Sequence, residues 1–228
     1  MTEWMKRGLA ALGLATLASC TTADAAPSSV RPALWRVSDA DTSIYLFGTF
    51  HLLPQDYAWQ TPQIRKAVAK SSDLYVETIL DEQHPQAILA EHLRQAFAAA
   101  GKPIGQLETN AEQLSFFDTL SEPAQRAFLE GAITDPGNMR TEFSGMLKSW
   151  ATGDVAGIAQ SFNADLAASP ELRANLLTKR NRNWSQWVER KLVQPGTTMV
   201  AVGAGHLAGD DSVVAMLQRD GYKVQRVE

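Results

Sequence analysis

The chain has 228 residues, 45% of them apolar and 20% charged, with a formal net charge of −4. Such a composition belongs to a globular chain long enough to bury a core of useful size. The acidic balance and the lack of a basic run with interleaved aromatics point away from nucleic acid as a partner. The scattered Lys and Arg read as solvated surface.

The first element is not part of the domain. Lys6 and Arg7 precede GLAALGLATLAS (8–19), the charged and apolar regions of an export signal. The run is too short to span a bilayer comfortably. It is followed by the single cysteine, Cys20, in LASC (17–20), a pattern similar to a bacterial lipobox. On that reading residues 1–19 are removed, Cys20 is lipidated, and 20–32 tether the domain at 33–228 to a membrane. Ala23-Asp24-Ala25 offers a competing cleavage site, and an uncleaved anchor is a third reading. All three imply export to the periplasmic side of a bacterial envelope, and Thr21 favours the outer membrane. With Cys20 lipidated or removed, neither a disulfide framework nor a cysteine metal ligand is expected.

Beyond the tether, ALWRVSD (33–39) and TSIYLFGTF (42–50) predict a hairpin turning at Ala40-Asp41. Thr61 caps a helix with Pro62 in its first turn. LYVETI (74–79) reads as a strand with Glu77 inside it. Residues 85–100 predict a helix with Leu89, Leu93, Ala96, Phe97 and Ala100 on one stripe, stopped by Gly101. His92, at the margin of that stripe, is expected to pack, whereas His84 falls in a loop. KPIGQLET (102–109) predicts a weaker strand ending near Glu108. The middle is helical: 110–120, a helix through Ile133, one from about Asn138 to Trp150, one opened by Gly153-Asp154, and a long one from Ser169-Pro170 to about Leu192. TTMVAVGAG, after Pro195-Gly196, is the most strand-like run. GDDSVVAMLQRDGY (209–222) is a capped helix and KVQRV (223–227) a closing strand. This order predicts an α/β fold: a central mixed sheet built from N- and C-terminal strands, flanked by helices, with a helical middle segment.

Ligands in open α/β sheets gather at the carboxyl ends of strands. Predicted strands there deliver His51, Glu77, Glu108 and His206. Two of the four histidines occupy matched Gly-x-x-His-Leu patterns, at 48–52 and 203–207. Gly48 and Gly203 would let the backbone approach a bound group. Two imidazoles and two carboxylates suit a divalent metal, which lowers the pKa of bound water while a carboxylate acts as base. Arg180 interrupts an apolar stripe of Leu172, Leu176, Trp184 and Val188. It therefore needs a carboxylate or an oxyanion as partner, or must snorkel to water. Trp184 and Trp187 read as core.

The stretches LWRVSDADTSIYLFGTFHLLP (34–54), DLYVET (73–78), AFAAAGKPIGQLETNAEQLSFFDTL (96–120), LLTKRNRNW (176–184) and VAVGAGHLAGDDSVVAMLQRDGYKV (200–224) resemble the TraB/GumN family. That family is related to the TIKI metalloproteases and more distantly to ChaN-like and erythromycin-esterase-like proteins. The resemblance implies a metal-dependent hydrolase, a peptidase above all, using manganese or cobalt, with zinc as a third option. His51, Glu77 and His206 would hold the metal. Glu108 would activate water, Arg180 would face the oxyanion, and Asn181 completes the helical pair. The substrate would be a peptide or a small molecule. Alternatives are a metal-free His/Glu esterase-like hydrolase, a haem-binding lipoprotein, and an accessory protein of export or polysaccharide pathways. Family members carry a longer helical segment after the strand that holds Glu77; here the link from Thr78 to Pro85 is short.

Overall fold

The computed structural model describes residues 30–50, 53, 57–79, 89–133, 136–167 and 169–228; side chains of 131–140, 163–165 and 167 are not described. The segment expected to be an export signal, Cys20, His51 and His84 lie outside the described residues. Among the described residues no helix is long and apolar enough to cross a membrane.

Strands β1 (Leu34–Ser38) and β2 (Thr42–Thr49) form the expected hairpin, with Leu34 opposite Phe47 and Ser38 opposite Ser43. Asp39 closes the turn: its Oδ1 accepts from the Asp41 and Thr42 N–H groups. Helix α1 (Pro62–Lys70) starts where Thr61 Oγ1 accepts from the Ile64 N–H. β3 (Asp73–Val76) ends one residue short of Glu77, so the acid lies just beyond the strand rather than inside it. Helix α2 (Leu89–Ala99) buries Leu89, Leu93 and Phe97, and Gly101 ends it at φ +66°. Ala96 and Ala100 stay exposed, as does His92. The expectation that His92 packs is therefore corrected: the buried stripe repeats every four residues from Leu89, and position 92 falls beside it.

β4 (Ile104–Gln106) leads to α3 (Asn110–Asp118), opened by a capping box between Thr109 and Glu112. Helices α4 (Glu122–Ile133), α5 (Pro136–Thr152) and α6 (Val155–Ala167) follow. The long helix expected from Ser169 is interrupted. It runs as α7 (Pro170–Arg173), a π-helical turn (Ala174–Thr178), and α8 (Lys179–Leu192). Then come β5 (Gly196–Gly203), a 3₁₀ turn (Ala204–Leu207), α9 (Val213–Arg219) and β6 (Val224–Arg226).

The six strands form one mixed sheet in the order β4-β3-β5-β2-β1-β6. β4, β3, β5 and β2 run parallel, and β1 is antiparallel to both β2 and β6. Alternation along β2 and β5 feeds two cores. Tyr45, Phe47, Met199 and Ala201 face one way, against Ile64 of α1, Leu93 and Phe97 of α2, and Trp150 of α5. Ile44, Leu46, Val200 and Val202 face the other way, against Trp184 and Val188 of α8 and Leu217 of α9. Each buried Val, Leu, Ile, Phe or Met among these contributes about 1.5–3 kcal/mol relative to exposure. Covered on both faces, β5 reads as the continuous apolar run that parallel central strands require. Packing already begins at Val30, which is buried, with the Arg31 N–H donating to the Ala151 carbonyl at 2.7 Å.

Candidate functional site

Parallel strands point their carboxyl ends to one edge, so the topology alone brings Gly48, Glu77, Glu108 and Gly203 together. The Glu108 N–H donates to the Glu77 carbonyl at 3.1 Å, tying the two strand exits to each other. Above that edge α8 delivers Arg180 and Asn181, and the 3₁₀ turn delivers His206.

Arg180 is the hub. Its Nε donates to both Glu108 oxygens at 3.1 Å, and its Nη2 to Glu108 Oε2 at 2.8 Å and to Glu77 Oε1. Its Nη1 faces the Leu176 carbonyl and His206 Nε2, both at 3.3 Å. The π-helical turn is part of this arrangement: the Lys179 N–H reaches back to Ala174, and the Leu176 carbonyl accepts from the arginine side chain. Such bulges occur frequently at functional sites. The guanidinium also lies 4.8 Å from the Trp184 ring and 5.4 Å from the Phe116 ring. Every N–H of the guanidinium faces an acceptor of the protein. An oxyanion could therefore reach Arg180 only by displacing one of them, which departs from the role the resemblance implies.

His206 is 5% exposed and Asn181 fully buried. Asn181 Nδ2 donates to the Asp211 carbonyl at 2.7 Å, so its Oδ1 is the atom 2.7 Å from His206 Nδ1. That oxygen accepts a proton carried by Nδ1, which leaves a lone pair on Nε2 for Arg180. The His206 ring packs 4.6 Å from Trp184 and 5.9 Å from Phe162.

The two acids differ in setting. The Glu108 side chain is 7% exposed and that of Glu77 20%. Burial pushes the Glu108 carboxyl above the usual carboxylate range, and Glu77 adds to this against the opposing pull of Arg180 and Gln113. Burial works against the charge on Arg180 too, but Glu77 and Glu108 outweigh it and hold its pKa above the usual value. Glu77 is steadied by Gln113 Nε2 at 3.1 Å and by the Gly203 N–H at 3.3 Å. A Cβ on Gly203 would lie 3.4 Å from His206 and 3.6 Å from Glu77, so this glycine leaves the gap between them open. Gly48 has a different setting: a Cβ there would meet the Ala204 Cα at 3.0 Å, where β2 passes the 3₁₀ turn.

Gln113 and Asp211 are the partners that the residue-by-residue reading did not single out. A signal for the first exists, since Gln113 belongs to the LET-x-x-EQ piece that carries the resemblance. Asp211 acts through its backbone carbonyl, which leaves no mark in a sequence.

Among the described residues no group of three or more His, Cys, Asp or Glu side chains could hold a metal ion. His51 lies outside them. At the two described positions the guanidinium contacts both Glu77 and His206 Nε2, so a dication there would meet a fixed positive charge. As arranged, these described residues do not fit a metal ion. A cleft of about 320 Å³ between α1 and α2 is lined by Trp59, Ile64, Leu93, Phe97 and Lys102, and none of the cluster residues borders it.

No curated protein and no solved structure matches the chain. The model of the TraB/PrgY/gumN family matches residues 33–92 and 80–226, which together span both glycine–histidine motifs and all the described cluster residues. The chain belongs to the TraB/PrgY/gumN family.

Proposed function

We propose that the chain is an exported hydrolase that cleaves a carbonyl substrate, a peptide or an ester, at the carboxyl edge of its parallel strands. The observation that carries this is the two-carboxylate, one-arginine, one-histidine cluster, in which Glu108 is the more buried acid and burial raises its pKa. Pairs of acids with separated settings are how one site holds both an acid and a base. Glu77, the more open of the two, takes the base role and draws a proton from the attacking water. Glu108, pushed toward its protonated form, suits proton delivery to the leaving group. Arg180 holds both in place through its hydrogen bonds to their carboxylates.

A metal-dependent peptidase is the second reading. It is supported by the matched Gly-x-x-His motifs at 48–51 and 203–206, which place two imidazoles after parallel strands, and it requires the Arg180 guanidinium to give way to the ion. His51 would join Glu77 and His206 as ligand, with manganese, cobalt or zinc as the ion. Lipidation of Cys20 would hold the protein on the periplasmic face of a membrane, the outer one by the Thr21 criterion.

The test uses the full chain, a library of peptides and esters, and elemental analysis of the purified protein. Turnover without bound metal, lost in Glu77→Gln, supports the first reading. Turnover only after loading with manganese, cobalt or zinc, with metal retention lost in the His51→Ala/His206→Ala double variant, transfers the function to the second. No turnover under either condition overturns the hydrolase.

A further inference from the structure

Arg173 is the last residue of α7, and Asp211 lies in the loop between the 3₁₀ turn and α9. Arg173 Nε and Nη2 donate to Asp211 Oδ2 at 3.1 and 2.8 Å. Both side chains are about one-third exposed, and an ion pair of that kind contributes only ~0–1 kcal/mol to stability. Its place in the network gives it a different weight. The Asp211 carbonyl is the acceptor that orients the Asn181 amide, and the amide in turn faces His206 Nδ1.

We propose that Arg173 and Asp211 are positioning residues that fix the proton of His206 on Nδ1 through Asn181. The logic is one of donors and acceptors. While the carbonyl holds the Asn181 NH₂, only the amide oxygen can face the imidazole, and an oxygen selects Nδ1–H. If the 211 backbone moves away, the amide is free to turn over and present NH₂ to the ring. Nδ1 must then be the acceptor, and the proton moves to Nε2. There it would confront the Arg180 Nη1 donor, 3.3 Å from Nε2. The clamp therefore acts in the same sense as Arg180, both favouring a lone pair at Nε2. The ring's tautomer is set from a partly exposed ion pair outside the buried cluster. This inference takes its functional meaning from the hydrolase reading, but its test does not use turnover.

The test is long-range ¹H–¹⁵N NMR of the imidazoles in the full chain, recorded across a pH series. The chain has four histidines, and His206 is assigned by its loss in His206→Gln. The wild type should show Nδ1–H with Nε2 bare. Arg173→Ala and Asp211→Ala should raise the Nε2–H tautomer roughly twofold to fivefold, the shift that matches the strength of such a pair. Arg173→Lys, which keeps the charge, should restore the wild-type ratio. Should the alanine variants fail to fold, Asp211→Asn is read instead and should give a smaller shift of the same sign. An unchanged tautomer in folded variants, or a wild type already protonated on Nε2, overturns the proposal. Failure of the hydrolase reading would appear separately, as absent turnover with the tautomer pattern intact.

Discussion

Without Arg180, Glu77 and Glu108 would lose their shared counter-charge; leaving one member of a buried ion pair alone costs about 3–5 kcal/mol. Burial and ion pairing compete at Glu108, and the raised pKa says that burial prevails. The folded chain then holds this proton more tightly than the unfolded chain, whose value is near 4.5. The corresponding stabilisation is complete below that value and is lost as pH rises through the higher folded-state value. Glu108→Gln removes the titration. We predict that the Tm of the wild type minus that of the variant falls as pH is raised from 4.5. A difference that grows with pH would mean that Arg180 outweighs burial. The need for a partner at position 180 was legible from the apolar stripe it interrupts. Its identity was not, because the acids arrive from two strands elsewhere in the chain.

At the scale of elements, the glycines at the strand exits have separate duties. Gly48→Ala forces a methyl to 3.0 Å from the Ala204 backbone, and Gly205→Ala forces one to 2.6 Å from the Phe162 ring. Overpacking of this kind costs about 1–3 kcal/mol, readable as a lower urea midpoint. Gly203→Ala meets its neighbours at ordinary contact distances. It should leave stability within about 0.5 kcal/mol of wild type while filling the gap between His206 and Glu77, and so reduce the turnover proposed for this site. Equal loss of stability in all three would remove the distinction. Strand and helix order was legible because the apolar periods agree with the helix openings at Thr61-Pro62 and Ser169-Pro170. The π-helical turn was not, because ANLLT (174–178) contains no helix breaker. Its widened backbone is associated with the tertiary contact between Arg180 and the Leu176 carbonyl.

At the scale of the molecule, the short strand β6 covers an edge. It pairs with β1, and the Val227 N–H adds a bond to the Leu34 carbonyl at 2.8 Å. Arg226 Nη2 and Glu228 reach Gly153 and Thr61. Deleting residues 223–228 would bare the LWRVS edge of β1, and bare edges pair with other chains. A Tm lower by several degrees, with self-association that grows with concentration in light scattering, is the expected result. A monomer with unchanged Tm would show that the edge is otherwise protected. That strands from both ends share one sheet was legible from their order. The insertion of β5 between β3 and β2 was not, since no local pattern encodes which neighbour a strand takes.

That insertion has a consequence in time. β5 is the central strand, yet Gly196 is synthesised on the order of 150 residues after its partner Thr42. At ~5–20 residues per second the delay is roughly ten to thirty seconds. During it, β2 and β3 exist without the strand that joins them; Arg180 is made only shortly before β5 begins, and His206 only after it. Long-range parallel pairing is also intrinsically slow. A nascent chain of this topology cannot complete its central sheet until its C-terminal fifth emerges.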